Sequence, residues 1–186
     1  MLNLAAALVL AAAGTPVTMD GLTSNAPDAW KEVPTTSQMR WKQFTIPRAT
    51  GDQFDGELVI FYFGPGQGGD PEANITRWKG MFTPPEGKKI EQVSKIDSVT
   101  IGAVKATLLD VHGTYKPSNM MGPPQDPRPN HRMIGVVFAS PQGPYFMRFV
   151  GPERTIEQHK AGFDKWLRGF KAAPAGKAAA AKKAAK

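Results

Sequence analysis

The residues able to do chemistry are few. Asp110 and His112 stand two apart in ATLLDVHGTY (106–115), so on a strand they share one face. A serine beside them would suggest an acid–base–nucleophile set. No G-x-S-x-G elbow occurs, however, and Ser118 falls in a loop, so the pair reads as accidental. The stretch KPSNMMGPPQDPRPNH (116–131) has five prolines and adjacent methionines. Thioethers and imidazoles suit Cu(I), which prefers soft ligands. Met120, Met121 and His131, with His112 at the other foot of the loop, are the candidate metal ligands. The plainer reading is a partly apolar flap packed on the fold, where Met fills irregular gaps, open to a peptide or protein partner. His159 sits one turn before Phe163 and is expected on a helix surface. A polar patch of Gln67, with Asn74 and Arg77 at helical i, i+3 spacing, is a candidate ligand site for a small anion.

FYFGPGQGGDPEANITRW (61–78) poses a sharper question, because Gly64–Gly69 spell G-x-G-x-x-G between an apolar strand and a helix. A dinucleotide fingerprint needs a parallel βαβ unit and an acid closing the next strand. Two strands precede this loop, and no acid closes the strand that follows. Pro65 removes a backbone donor, and Asp70 puts a carboxylate where a pyrophosphate would lie. Gly69-Asp70-Pro71 also replaces the Gly-Lys-Ser/Thr ending of a P-loop. No nucleotide and no other cofactor is therefore expected. Gly64, Gly66, Gly68 and Gly69 are expected to give a sharp reversal, and Asp70 to cap the helix.

The elements that carry these residues follow from periodicity. Short strands are expected at 30–33, 39–46 and 57–63, the last apolar on both faces and so central in a sheet. The first helix begins at Pro71, with Ile75, Trp78 and Phe82 on one stripe. Strand-like runs follow at 88–96, 98–104 and 106–115. A hairpin then joins 132–140 to 145–151 through Pro141-Gln142-Gly143-Pro144. Thr155-Ile156-Glu157-Gln158 has the form of a capping box, and Phe163, Trp166, Leu167 and Phe170 make a core-facing stripe. The expected fold is α+β: a largely antiparallel β-sheet of about six or seven strands flanked by two amphipathic helices.

The two ends differ from the middle. MLNLAAALVLAAA (1–13) is too short to cross a membrane and resembles the apolar part of a secretory signal, although no Lys or Arg precedes it. Residues 14–27 read as a linker, 28–172 as one α+β domain, and 173–186 as a disordered Ala/Lys-rich tail. The chain of 186 residues carries a formal charge of +7, and leaving out the five lysines of 171–186 reduces this to +2. The basicity therefore belongs to the tail, which suits either solubility or an anionic envelope polymer. There is no cysteine, which excludes disulfides, thiol catalysis, thiolate metal sites and a lipid-modified N-terminal cysteine.

MRWKQFTIP, GELVIFYFGPGQGG, NITRWKGMF, DVHGTY and GPYFMRFVGP together resemble a family of exported bacterial proteins with no assigned function, over about 28–171. The order of strands and helices resembles the PsbP-like α/β/α sandwich, named after an extrinsic photosystem II subunit. That fold also occurs in a nuclear Ran-binding protein, so the resemblance implies architecture and no chemistry.

These features point to a non-catalytic exported protein, periplasmic or secreted. Its expected role is binding or structural, toward an unidentified protein or envelope polymer, with no specific nucleic-acid partner and no transmembrane span in the mature chain. A periplasmic copper or small-ligand carrier is the alternative, and an enzyme of unknown class comes third. The tail has no large apolar side chain, so deleting 173–186 should move the melting temperature by only about a degree or two, less than a loss of ~1 kcal/mol would. Calorimetry of the full and truncated chains checks this.

Overall fold

The strand that decides the architecture is apolar along most of both sides, and in the computed structural model it lies inside a sheet that carries a helix on each face. The structure describes residues 14–35, 37–117 and 125–172. The proposed signal segment, the tail, Ser118, Met120 and Met121 lie outside the described residues. The element order is β1 (Pro16–Met19), β2 (Leu22–Asn25), β3 (Lys31–Glu32), β4 (Arg40–Ile46), β5 (Gly56–Tyr62), α1 (Pro71–Lys79), β6 (Phe82–Thr83), β7 (Ser94–Ile101), β8 (Val104–Tyr115), β9 (Arg128–Ser140), β10 (Gly143–Pro152), α2 (Glu153–Arg168) and β11 (Lys171–Ala172). The main sheet runs β3-β4-β5-β10-β9-β8-β6, with β7 also on β8, and every pairing is antiparallel. It counts eight strands because β3 and β6 contribute only two residues each. A second sheet, β1-β2-β11, sits at one side.

Residues on one face alternate with those on the other. Leu58, Ile60, Ile134, Val136, Met147 and Phe149 point toward α2, whose Ile156, Phe163, Trp166 and Leu167 close the larger core. Phe149 and Phe163 stack with centroids 4.7 Å apart, and Trp30 leans on both. Leu109, Val111, Met133, Val137 and Phe146 face α1, under Ile75 and Trp78. Trp78 fits because Gly135 lies beneath it: a Cβ there would come within 2.5 Å of the indole.

The loop before α1 has positive φ at Gly64, Gly66, Gly68 and Gly69, and Asp70 Oδ1 accepts the Ala73 N–H at 2.9 Å. Gly68 needs to be glycine twice over. Its φ is +91°, and a Cβ would stand 2.4 Å from the Phe146 ring.

Six expectations need correction. Residues 14–27 are a hairpin that belongs to the domain, with Val17 and Met19 fully buried. Asp20-Gly21, both at positive φ, make the two-residue turn that suits paired strands. Residues 88–93 are not strand: a 3-10 turn occupies Ile90–Gln92 and β7 begins at Ser94. The run 98–104 is no single strand, since Gly102 at φ +60° reverses the chain within it. Phe82 lies beyond α1, in β6.

The capping box at Thr155 does not form. Helix α2 begins two residues earlier, at Glu153, with no side-chain cap of its own. Thr155 is fully buried and its hydroxyl is used elsewhere: it donates to Asp52 Oδ2 at 2.6 Å and accepts the Ala49 N–H at 3.0 Å. Asp52 Oδ2 also accepts the Thr155 N–H at 3.0 Å, so a carboxylate from the β4–β5 loop caps α2 from outside. His159 departs from the surface position expected of it. It is half-buried, accepts from the Trp30 indole N–H through Nδ1 and donates through Nε2 to the Pro47 carbonyl.

The two caps differ in burial, which ranks them. Asp70→Ala removes an exposed cap and should cost roughly 0.5–2 kcal/mol. Asp52→Ala strands two donors of a buried threonine and should cost more, roughly 1–3 kcal/mol. Urea denaturation of both variants gives the order.

Candidate functional site

On the α2 face, β8 brings Asp110 and His112 alongside Arg132 of β9, and α2 adds Glu153 and Glu157. Arg132 donates from Nε and Nη2 to the two carboxylate oxygens of Asp110 at 2.9 and 2.6 Å, and its Nη1 meets Glu157. His112 Nε2 is 3.3 Å from Asp110 Oδ1, and its Nδ1 is 3.0 Å from Glu153 Oε1. Asp110 and His112 thus belong to a closed ion network rather than an accidental pair. Burial raises the Asp110 pKa, but the bonds from Arg132 and His112 outweigh it and hold this carboxyl well below the usual range. The same bond to Asp110 raises the His112 pKa against the effect of burial. Beside the network lies an open depression of ≈ 740 Å³ lined by Asp52, Asn130, Glu153, Arg154, Glu157 and Gln158. The groups that could serve acid–base work here are occupied with one another or with the α2 cap.

The proposed metal set does not assemble. His112 pairs with Arg132 across β8 and β9, while His131 is one residue out of that register and faces the opposite side of the sheet. Two ligands separated by a sheet cannot share an ion. His131 donates from Nδ1 to the Pro129 carbonyl at 2.8 Å and stacks on Tyr115, and burial lowers its pKa. Among the described residues no three His, Cys, Asp or Glu side chains are placed to hold a metal.

The Gln67, Asn74 and Arg77 patch is also divided. Asn74 is buried, and its amide N–H groups bond the Gly68 and Asp70 carbonyls at 3.0 and 2.9 Å, with its oxygen bonded by Arg77. It ties the glycine loop to α1. Gln67 is exposed at the loop tip.

The α1 face holds a different arrangement. Helix α1 covers β8, β9 and part of β10, and the same face of β4 and β5 stays half-open. Gln43, Thr45, Glu57 and Phe61 are partly exposed there, whereas Phe44, Ile46, Leu58 and Ile60 on the other face are sealed. Arg148 stands at the border, between Val59 of β5 and Gly135 of β9. Its guanidinium lies 4.9 Å from the Phe61 ring centroid and reaches the Met81 sulfur at 3.6 Å. Its Nε is sealed from solvent and has no partner among the described residues. Burial lowers its pKa; Tyr115 and Glu57 oppose that shift, and Arg40 and Arg77 add to it. Glu57 is already engaged, with Oε1 accepting from Arg40 and Gln43, each at 2.8 Å. Burial likewise raises the Tyr115 pKa, and this hydroxyl lies in the field of Arg148, Arg128, Arg40 and Glu57. The sequence signal for this cluster was one charge inside the apolar run YFMRFVG (145–151).

The backbone geometry and the two unequal covers can be set beside solved structures. The solution structure of cyanobacterial PsbP (CyanoP) from Synechocystis matches with a TM-score of 0.52 and 11% identity, over 90% of this chain and 96% of that one. This chain has the PsbP-like fold. A crystal structure from Bacteroides thetaiotaomicron gives a TM-score of 0.45 at 12% identity, covering 88% of this chain, which spans half of that chain's length. PA94 of Pseudomonas aeruginosa, a protein of unknown function, gives 0.46 at 13% identity over 86% of this chain and 97% of that one. No protein-family model and no curated protein sequence matches the chain. Likeness at this level is one of fold, and the PsbP-like fold itself fixes no chemistry. No described helix is long and apolar enough to cross a membrane.

The ion network sets a pH dependence. The raised pKa of His112 means that its stabilising contribution is complete below the unfolded histidine value of about 6.5 and fades as pH rises through the folded value. Asp110 acts in the opposite sense: its contribution is complete above the unfolded carboxyl range and fades in acid. In an NMR titration His112 should therefore titrate above about 6.5, and Asp110→Asn should bring it down. A His112 curve unmoved by Asp110→Asn would show that the contact is not formed.

Proposed function

We propose that this chain is a non-catalytic protein of the bacterial envelope, periplasmic or secreted, whose folded domain binds a partner through the half-open α1 face. The observation that carries the reading is the asymmetry of the sheet. On one face the ionisable groups beneath the start of α2 close on one another, while the other presents Phe61, Phe63 and a cluster of arginines. Phe63 is 38% exposed and stacks on Phe61, a large apolar surface that the domain leaves uncovered. Export is supported by the apolar, small-residue-terminated segment 1–13 and fits the lack of cysteine only as a neutral fact. The copper-carrier reading loses His112 from its ligand set, because that side chain lies across the sheet from His131.

Two measurements on the native protein in its source cells test this. The envelope fraction should contain a chain whose mass lacks the N-terminal apolar segment, and an intact Met1 in the cytoplasm would overturn export. A photo-reactive residue at position 63 should give discrete adducts, whereas the same residue at Ile96, on the far strand β7, should not. Equal labelling from both positions would remove the α1 face from the reading.

A further inference from the structure

Arg132 and Arg148 sit in the same sheet, on neighbouring strands and opposite faces. Arg132 meets two carboxylates, Asp110 and Glu157. Arg148 meets none among the described residues, and its Nε–H is buried without an acceptor. Arg148 as a whole is half-buried, and a partly desolvated guanidinium with no direct counter-charge is costly. The nearest carboxylate in its field, Glu57, is already held by Arg40 and Gln43. Around Arg148 and the Tyr115 hydroxyl the field comes from Arg40, Arg77, Arg128 and Glu57, a strong positive excess. Next to the cations run the Phe61 and Phe63 rings, stacked 6.3 Å apart.

We propose that the half-open α1 face binds an oxyanion, a carboxylate or a phosphate, carried on an apolar or aromatic body, with Arg148 as its anchoring cation. The guanidinium has a flat fork of donors that matches either group in a bidentate way. Bound there, the anion supplies the direct counter-charge that no described side chain gives Arg148. Tyr115 donates from its hydroxyl, which burial keeps protonated. Phe61 already holds the guanidinium plane from one side, and the exposed Phe63 ring receives the apolar body. The proposal rests on the α1 face being the binding surface and adds the class of ligand.

The purified full chain is titrated with benzoate and with phenyl phosphate against chloride at matched ionic strength, by calorimetry and thermal shift. A saturable rise in melting temperature with at least one of them is expected, and the stronger probe tells carboxylate from phosphate. The basic tail is common to all variants, so its nonspecific binding cancels. Arg148→Met should abolish the response without lowering the ligand-free melting temperature, because it removes a half-buried charge that no described carboxylate pairs. Arg148→Lys keeps the charge and loses the fork, so affinity should fall by about tenfold or more. Glu57→Gln should tighten binding by removing the competing carboxylate. If Arg148→Met fails to fold, the Nε–H signal of Arg148 in the wild type decides: it should move saturably with the probe. No saturable response to either probe, or one that Arg148→Met leaves intact, overturns the oxyanion site. Adducts from position 63 in cells alongside such a failure would leave the binding face standing and remove only this ligand class.

Discussion

The fold depends on one requirement: β5, β9 and β10 are apolar on both sides and must be covered on both faces. Helix α2 and the β1-β2 hairpin meet this fully on one face, where Leu58, Ile60, Ile134, Val136, Met147 and Phe149 have no solvent exposure. Helix α1 has nine residues against sixteen in α2, and it cannot span the sheet on the other face. At 1.5 Å per residue the shorter helix is only about 13 Å long. It lies over β8, β9 and the near side of β10, seated on Gly135 by Trp78, and the β4–β5 side of that face stays half-open. The unequal covers therefore follow from helix length, and they place the polar border at β10.

The longer helix must also be fixed at its start, because β10 runs directly into α2 through Pro152 and leaves the first helical N–H groups without a local cap. Two devices answer this. Asp52 and the β4–β5 loop bind Thr155, and Arg132 draws Glu157 toward Asp110 on the sheet. A buried ion pair of this kind contributes little net stability but is costly to break, so its effect is mainly on geometry: it sets where α2 begins relative to β8 and β9. Glu153 and Asp52 also place negative charge at the positive end of the helix, which is favourable. The ion network thereby accounts for a set of residues that in isolation resembles acid–base machinery.

Most of the architecture was legible in the sequence. The two-sided run 57–63, the apolar stripes of both helices and the Pro/Gly turn at 141–144 were enough for an antiparallel α+β fold, and Asp70 signals its helix through purely local chemistry. What failed was non-local. Thr155 has a capping-box sequence, but Asp52, about a hundred residues away, claims its hydroxyl. Residues 14–27 look like a linker because Gly, Pro, Thr, Ser, Asn and Asp make up most of them; the alternation of Val17 and Met19 before Asp20-Gly21 was the signal, and four residues per strand made it faint. His112 and His131 flank one loop and seem close in sequence, yet strand alternation sends them to opposite faces. Arg148 was hidden because the run 145–151 signals only a hairpin strand, and the sheet order is what shows that β10 is central.

That last point separates structural from functional charge in this domain. On the α2 face Arg132 has acids supplied by the neighbouring strand β8 and by α2, as expected where ionic groups serve to align packed elements. On the half-open face Arg148 has an aromatic ring, a thioether and a tyrosine hydroxyl instead. None of these cancels a charge. An arginine chosen for packing alone would be matched at lower cost by methionine, which has a similar length and no desolvation penalty. Retaining a guanidinium at the border between the covered and the open half of the sheet is explained if its partner comes from outside the chain.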